Sequence, residues 1–160
     1  EGFRPFAPSV LVEHASEYFD VESESPYMLL TVPVKEKHRA ILPDDYKQRP
    51  MYEKLYSKRS SLQAITHVDF SARIQTVSKA DNPLYWKLIE AFRTLTGCGL
   101  VVNTSFNVRG EPMVCTPEDA YRCFMATEMD VCVIGSYLFL KEEQPDAGNR
   151  EKWNRTFAPD

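Results

Sequence analysis

The stretch NPLYWKLIEAFRTLTGCGLVVN, residues 82–103, reads as a capped helix followed at once by a strand, and the fold class turns on that pairing. Asn82 supplies a capping side chain, and Pro83 stands at the first helical position, where its missing N–H is no loss. Tyr85, Leu88, Ile89, Phe92 and Leu95 follow at the i, i+3, i+4, i+7 spacing of one buried face. Gly97 is placed to end the helix in the left-handed region. Residues 99–102 are apolar throughout, which predicts a short strand buried on both faces.

Towards the carboxyl end, Thr116, Pro117, Glu118 and Asp119 combine a cap hydroxyl, a first-turn proline and two carboxylates at the positive end of a helix dipole. Ala120, Cys123, Phe124 and Thr127 supply the inner face of this second helix. The apolar run 131–140 predicts a central strand, bulged or broken at Gly135. The tail 142–160 is polar, carries no core pattern, and is expected to be an extension with at most a short helix around 150–153.

Towards the amino end, residues 9–12 and 27–34 read as strands joined by the acidic, serine-rich segment 20–25. Residues 35–61 form a basic and polar surface excursion with room for one short helix near 51–55. Two strand pieces, around 64–67 and 72–76, are joined at Asp69, Phe70 and Ser71. Strand, helix, strand, helix, strand in the second half predicts an α/β fold with a mixed sheet and flanking helices in a single domain.

The bulk properties agree. At 160 residues the chain has length for one domain of the usual ~150, and 43% hydrophobic with 26% charged residues is ordinary for a globular protein. Nineteen Lys and Arg against 23 Asp and Glu leave a net charge of -4, so no general basic field attracts nucleic acid or membrane. No apolar run has the ~18 residues of a membrane span, and residues 1–10 lack a signal-peptide pattern, which predicts a cytoplasmic protein. Cys98, Cys115, Cys123 and Cys132 match no CxxC spacing and are expected to be buried reduced thiols. His14, His38 and His67 form no HExxH pair, so no metal site is expected within the chain. Residue 1 is Glu, which points to a fragment or processed product of something longer.

Three segments concentrate groups able to bind a polar ligand. Asn103, Thr104, Ser105, Phe106, Asn107, Val108, Arg109 and Gly110 leave the end of a strand, where ligands of α/β sheets sit. In an extended chain Asn103, Ser105 and Asn107 share one side, with Phe106 turned inward. The same residue types also build Asx and Ser/Thr turns, and the spacing does not choose between the two. In the second segment, 67–73, Arg73 lies within a strand-like pattern, suited to hold a phosphate or carboxylate or else to pair with Asp69, and His67 is the usual structural histidine. In the third, 3–9, two prolines stiffen the chain around Arg4. Neither GxxxxGK[ST], GxGxxG nor GxSxG occurs, so a nucleotide would be held by discrete side chains.

RPFAPSVL at 4–11, SPYM at 25–28, THVDFSARIQTV at 66–77, NTSFNVRGEP at 103–112 and TPEDAYRCFMATEMD at 116–130 occur in this order. Together they resemble the carboxy-terminal domain of the O-carbamoyltransferases that modify nodulation factors and antibiotics, over about residues 3–141. The resemblance implies a YrdC-like twisted mixed sheet similar to that of threonylcarbamoyl-adenylate synthases. It implies use of Mg-ATP and carbamoyl phosphate to make carbamoyl-adenylate, with phosphate and pyrophosphate released. An iron-containing, actin-like amino-terminal transferase domain, expected as the partner, then passes the carbamoyl group to a hydroxyl of a small-molecule or sugar acceptor.

On this resemblance Ser105-Phe106-Asn107 matches the Ser-x-Asn signature of the YrdC-like fold, so Ser105, Asn107 and Arg73 are the expected catalytic residues. Arg4, Ser9, His67, Asn103, Thr104 and Arg109 are the expected ligands of nucleotide and carbamoyl phosphate. Two departures stand out: the Lys-x-Arg element of such sites is expected before residue 1, and Phe70 occupies a place where glycine is usual. The alternative expectation is a noncatalytic nucleotide- or anion-binding module that docks on the amino-terminal domain, and nucleic-acid binding is disfavoured by the net acidity.

Overall fold

The computed structural model describes residues 5–145, 147, 148 and 153. In chain order the elements are β1 (Ala7–Leu11), α1 (Ala15–Tyr18), β2 (Leu30–Pro33), α2 (Met51–Tyr56), β3 (Ser71–Val77), α3 (Pro83–Thr96), β4 (Leu100–Asn103), α4 (Pro117–Ala126), β5 (Val131–Ile134) and β6 (Tyr137–Leu140), with short 3-10 turns between them. The fold is mixed α/β: a four-stranded sheet ordered β2-β3-β1-β4, a separate two-stranded sheet β5-β6, and helices. The chain divides into two compact units, Glu1–Thr104 and Ser105–Asp160.

In the first unit β1 runs parallel to β3, with Ser9 beside Gln75, and antiparallel to β4, with Ala7 opposite Asn103. β2 closes the other edge antiparallel to β3, with Thr31 opposite Arg73. Strand alternation then sorts the side chains. Val10, Ala72, Ile74 and Leu100 turn to one face and join Phe19, Val34 and Ile65 in the main core. The opposite face is apolar only at one end, where Leu11 and Val77 meet Ile89 of α3. Its remainder carries Ser9, Ser71, Arg73, Gln75 and Asn103.

α3 is stopped and started as its sequence requires: Asn82 accepts from the Tyr85 N–H, Pro83 opens the helix, and Gly97 closes it at a φ of 75°. Its buried face is narrower than periodicity predicts. Ile89 is fully buried, but Leu88, Phe92 and Leu95 of the expected face are exposed, as is Leu84. Contact is made where the helix crosses Leu11 and Val77, and the half-buried Tyr85 and Trp86 complete it.

Several other expectations are corrected. β4 is an edge strand rather than one buried on both faces, so Leu100 is buried while Val102 is exposed. The segment expected as a strand near 64–67 contains a 3-10 turn at Gln63–Ile65, and regular pairing begins only at Ser71. The strand expected over 27–34 is restricted to Leu30–Pro33, because Met28 takes a left-handed φ of 55°. Beside it, buried Ser25 explains part of the SPYM motif: its Oγ donates to the Ile74 carbonyl and its N–H to Thr76 Oγ1, tying this segment to β3.

In the second unit, Thr116 accepts from the Asp119 N–H and Pro117 begins α4, as expected. The run 131–140 is a hairpin rather than a central strand. Gly135, at a φ of 61°, and Ser136 form the two-residue turn that reverses it. Phe124, Met125 and Cys132 form the buried cluster, with Phe106 packed against it. Trp153 joins the same cluster edge-on to Tyr121, so the polar tail contributes a core side chain. The four cysteines are free thiols, but only Cys123 and Cys132 are buried; Cys98 is half-buried and Cys115 exposed. Burial pushes the Cys123 and Cys132 thiols up. Among the described residues, no helix is long and apolar enough to cross a membrane.

Candidate functional site

On the polar part of the first unit's sheet, three strands contribute to one hydrogen-bond network. Gln75 Oε1 accepts from Ser9 Oγ at 2.6 Å and from Asn103 Nδ2 at 2.7 Å. Gln75 Nε2 donates to the Pro26 carbonyl at 3.1 Å. Ser9 is fully buried, so its hydroxyl needs this partner. Arg73 stands two residues before Gln75 on the same face of β3, and its side chain is exposed. The ion pair with Asp69 that composition would favour is not formed, since Asp69 is taken up by Ser71. Arg73 is a cation offered from a fixed strand beside neutral polar groups, an arrangement suited to an anionic ligand.

The turn entering β3 builds a second cluster. Ser71 Oγ donates to Asp69 Oδ1 at 2.6 Å, and His67 Nδ1 lies 2.9 Å from the same hydroxyl. The Ser71 hydrogen bonds hold the Asp69 carboxyl below the usual carboxylate range. The turn is tight enough to place Phe70 at a φ of 64°, a left-handed conformation costly for a side chain and free for a glycine. The Arg39 guanidinium covers the Phe70 ring, 5.5 Å from its centre.

The strand continuation expected after Asn103 does not occur. β4 ends at Asn103, and Ser105, Asn107 and Arg109 belong to the second unit. Asn107 Nδ2 donates to the carbonyls of Glu111, at 2.8 Å, and Val108, at 3.4 Å, while Gly110 takes a φ of 86°. Asn107 therefore acts first as the staple of its own turn, the reading that its sequence left open. Ser105, Thr104 and Arg109 are exposed. Beyond the turn, the Arg122 guanidinium reaches Glu111 at 3.5 Å and Asp119 at 3.0 Å. Hydrogen bonds from Arg122 and then Thr116 hold Asp119 below its ordinary range. Of the expected set, Ser9, Asn103 and Arg73 share one sheet face, His67 stands in the turn leading to it, and Arg4 lies outside the described residues.

The family described as Carbamoyltransferase C-terminus matches residues 1–141. The chain belongs to that family. It is 54% identical, over all of its 160 residues, to the uncharacterized protein sll1178 of Synechocystis, and covers 26% of that protein. It is 43% identical over 158 residues (97% of this chain) to the nodulation protein NolNO of Sinorhizobium fredii, covering 20% of it. It is also 36% identical over 114 residues (71% of this chain) to the 3'-hydroxymethylcephem-O-carbamoyltransferase of Amycolatopsis lactamdurans, covering 18%. The carbamoyltransferase C-terminus chain thus spans about a quarter or less of the length of these relatives.

Two residues of this carbamoyltransferase C-terminus chain escape sequence reasoning. Gln75 is the hub of the sheet-face network, and the signal available for it was its i+2 spacing from Arg73. Arg59, in the basic excursion, is 1% exposed and points inward. Its guanidinium donates to the carbonyls of Lys54 and Leu55 at the end of α2 and to that of Thr66. It closes the helix end and is not presented to a ligand. The second unit also holds a cavity of about 1030 Å³ whose walls include Asp119, Tyr121, Arg122, Tyr137, Phe139 and Trp153. It contains none of the expected ligand residues, and two of its charged members, Asp119 and Arg122, are paired with each other.

Proposed function

We propose that this chain supplies the carbamoyl-adenylate-forming part of a larger O-carbamoyltransferase. The observation that carries the reading is Arg73, an exposed cation on a fixed strand beside the Ser9–Gln75–Asn103 network. Membership of the carbamoyltransferase C-terminus family says which anion chemistry to consider there. Carbamoyl phosphate yields carbamate and phosphate with one water. A carbamate oxygen then attacks the α-phosphorus of ATP, the bond to the β-phosphate bridging oxygen breaks, and pyrophosphate leaves. The product, carbamoyl-adenylate, keeps the carbamoyl group activated for a hydroxyl acceptor bound by the remainder of the protein.

Such a displacement needs no protein nucleophile. It needs reactants held in line and donors over the phosphate oxygens as charge develops. In this reading Arg73 takes phosphate charge, Ser9 and Asn103 belong to the wall beside it, and His67 lies at its edge. Thr104, the last residue of the first unit, supplies a nucleotide contact, and within the second unit Asn107 positions the turn bearing Ser105 and Arg109. Magnesium enters with ATP as part of the substrate. Iron belongs to the amino-terminal transferase part.

The test is pyrophosphate release from the full-length protein and from this chain, with Mg-ATP and carbamoyl phosphate, omitting each substrate in turn. Release that needs both substrates and falls at least ~10-fold in Arg73→Ala supports the reading. ATP bound without release by either protein would overturn it in favour of a noncatalytic docking module.

A further inference from the structure

We propose that Gln75 is a positioning residue: it fixes the amide of Asn103 so that Asn103 Oδ1 selects the amino group of the carbamoyl donor. This rests on the functional reading above and adds the origin of its specificity. The Pro26 carbonyl can only accept, so the Gln75 amide must turn Nε2 towards it. Gln75 Oε1 is thereby turned towards Ser9 and Asn103, and both must donate to it. Asn103 can do so only through Nδ2. Its Oδ1, which takes no hydrogen bond among the described residues, is left as an acceptor.

The register places that acceptor in line with Arg73. Thr31 is opposite Arg73, and Ala7 is opposite Asn103. Continuing the Ser9–Gln75 register two residues back sets Ala7 beside Arg73. One row across the sheet therefore reads Thr31, Arg73, Ala7, Asn103. A small side chain separates the cation from the amide by two strand spacings, ~10 Å between backbones. An arginine side chain closes much of that span. A ligand lying along the row meets five N–H donors at one end and a carbonyl-type acceptor at the other.

Carbamoyl phosphate has the matching polarity, with an anion at one end and an NH2 group at the other. Acetyl phosphate keeps the phosphate and the carbonyl but carries CH3 in place of NH2. Against Asn103 Oδ1 the methyl group leaves a desolvated acceptor unpaired, and sites built on such a pairing reject the analogue lacking the donor. Turning the Asn103 amide around would abolish the distinction, and Gln75 prevents that turn.

The experiment measures the dissociation constants of carbamoyl phosphate and acetyl phosphate by calorimetry on the full-length protein, with a nonhydrolysable ATP analogue present. The native protein is expected to prefer carbamoyl phosphate about tenfold, the worth of one net hydrogen bond. Gln75→Leu should bring the ratio close to one while acetyl phosphate binding changes less than about twofold. Asn103→Leu makes the same prediction while leaving buried Ser9 its partner, so an unfolded Gln75→Leu protein does not remove the test. Gln75→Glu keeps an acceptor for Asn103 Nδ2 but loses the donor to the Pro26 carbonyl, so it should keep part of the preference while its charge weakens both ligands together. The readout is the ratio of the two dissociation constants, which a mere packing role would leave unmoved while both affinities shift together. An unchanged ratio in Asn103→Leu or in folded Gln75→Leu, with pyrophosphate release intact in the native protein, would overturn the inference alone. Absence of both carbamoyl phosphate binding and release in the native protein would overturn the functional reading and the inference with it.

Discussion

Ser9, Gln75 and Asn103 on the first unit's sheet face are held by residues far along the chain, whereas Asn107 in the 105–111 turn is held by its neighbours. Asn103 is bonded to Gln75 on another strand, and Gln75 in turn to Ser9 and Pro26. Asn107, of the same residue type and close in sequence, is bonded to the backbone of Val108 and Glu111. A group fixed by three strands keeps its place only if the sheet is intact, and keeps it accurately. A group fixed within a turn keeps its local geometry as long as those few residues hold together. Strand-borne groups should therefore set ligand discrimination, and turn-borne groups the stability of the loop that carries them.

The largest expected effect tests the first half of that contrast. Arg73→Ala should lower carbamoyl-phosphate-dependent pyrophosphate release by about 100-fold or more, since a donor aimed at developing phosphate charge is lost. Its side chain is exposed, so the urea midpoint should not move. A loss below about threefold would break the contrast by showing that the sheet face is not where charge develops.

Asn107→Ala tests the second half. It removes the donor to the Glu111 carbonyl, and stability in urea should fall by about 1–2 kcal/mol. Amide exchange at Glu111 and Val114, both bonded within this turn, should accelerate. Unchanged stability and exchange would mean that Asn107 is not a staple.

The smallest effect is acid sensitivity, present in both units. Asp69 and Asp119 titrate below their ordinary range when folded, so the native state binds fewer protons than the unfolded chain. Their contribution is complete at neutral pH, and is lost as pH falls below about 4 through the folded values. Asp69→Asn and Asp119→Asn should each flatten the acid limb of a stability–pH curve while leaving its neutral slope alone. An unaltered acid limb in both would show that neither carboxylate is preferentially stabilised by folding.

The helices were legible because their signals are local. Asn82, Pro83 and Gly97 mark α3, and Thr116 and Pro117 mark the start of α4, without reference to anything distant. Which apolar side chains are covered is a different matter. Leu88 and Leu95 share a period with Ile89, but only the neighbouring elements decide which positions are buried. Gly135 was visible as an interruption of an apolar run. Its role as a turn depended on β5 pairing with β6, which periodicity does not specify. In the same way, motif order located Arg73 and Asn103, whereas the register that brings Gln75 to Ser9 arises only when β1 and β3 pair across an intervening excursion. Arg59 gave no sign of burial, because a basic residue in a polar stretch reads as surface.

That buried guanidinium also sets rules for chain length. By gripping the carbonyls of Lys54, Leu55 and Thr66 at one point, Arg59 fixes the contour of the backbone between them. An inserted residue there would have to break the grip or bulge outward. Residues 41–45, mostly exposed and outside the clamp, have no such constraint. Within one irregular region, the chain should tolerate lengthening at its tip and resist it near its base, so a tag or fused segment belongs at 41–45.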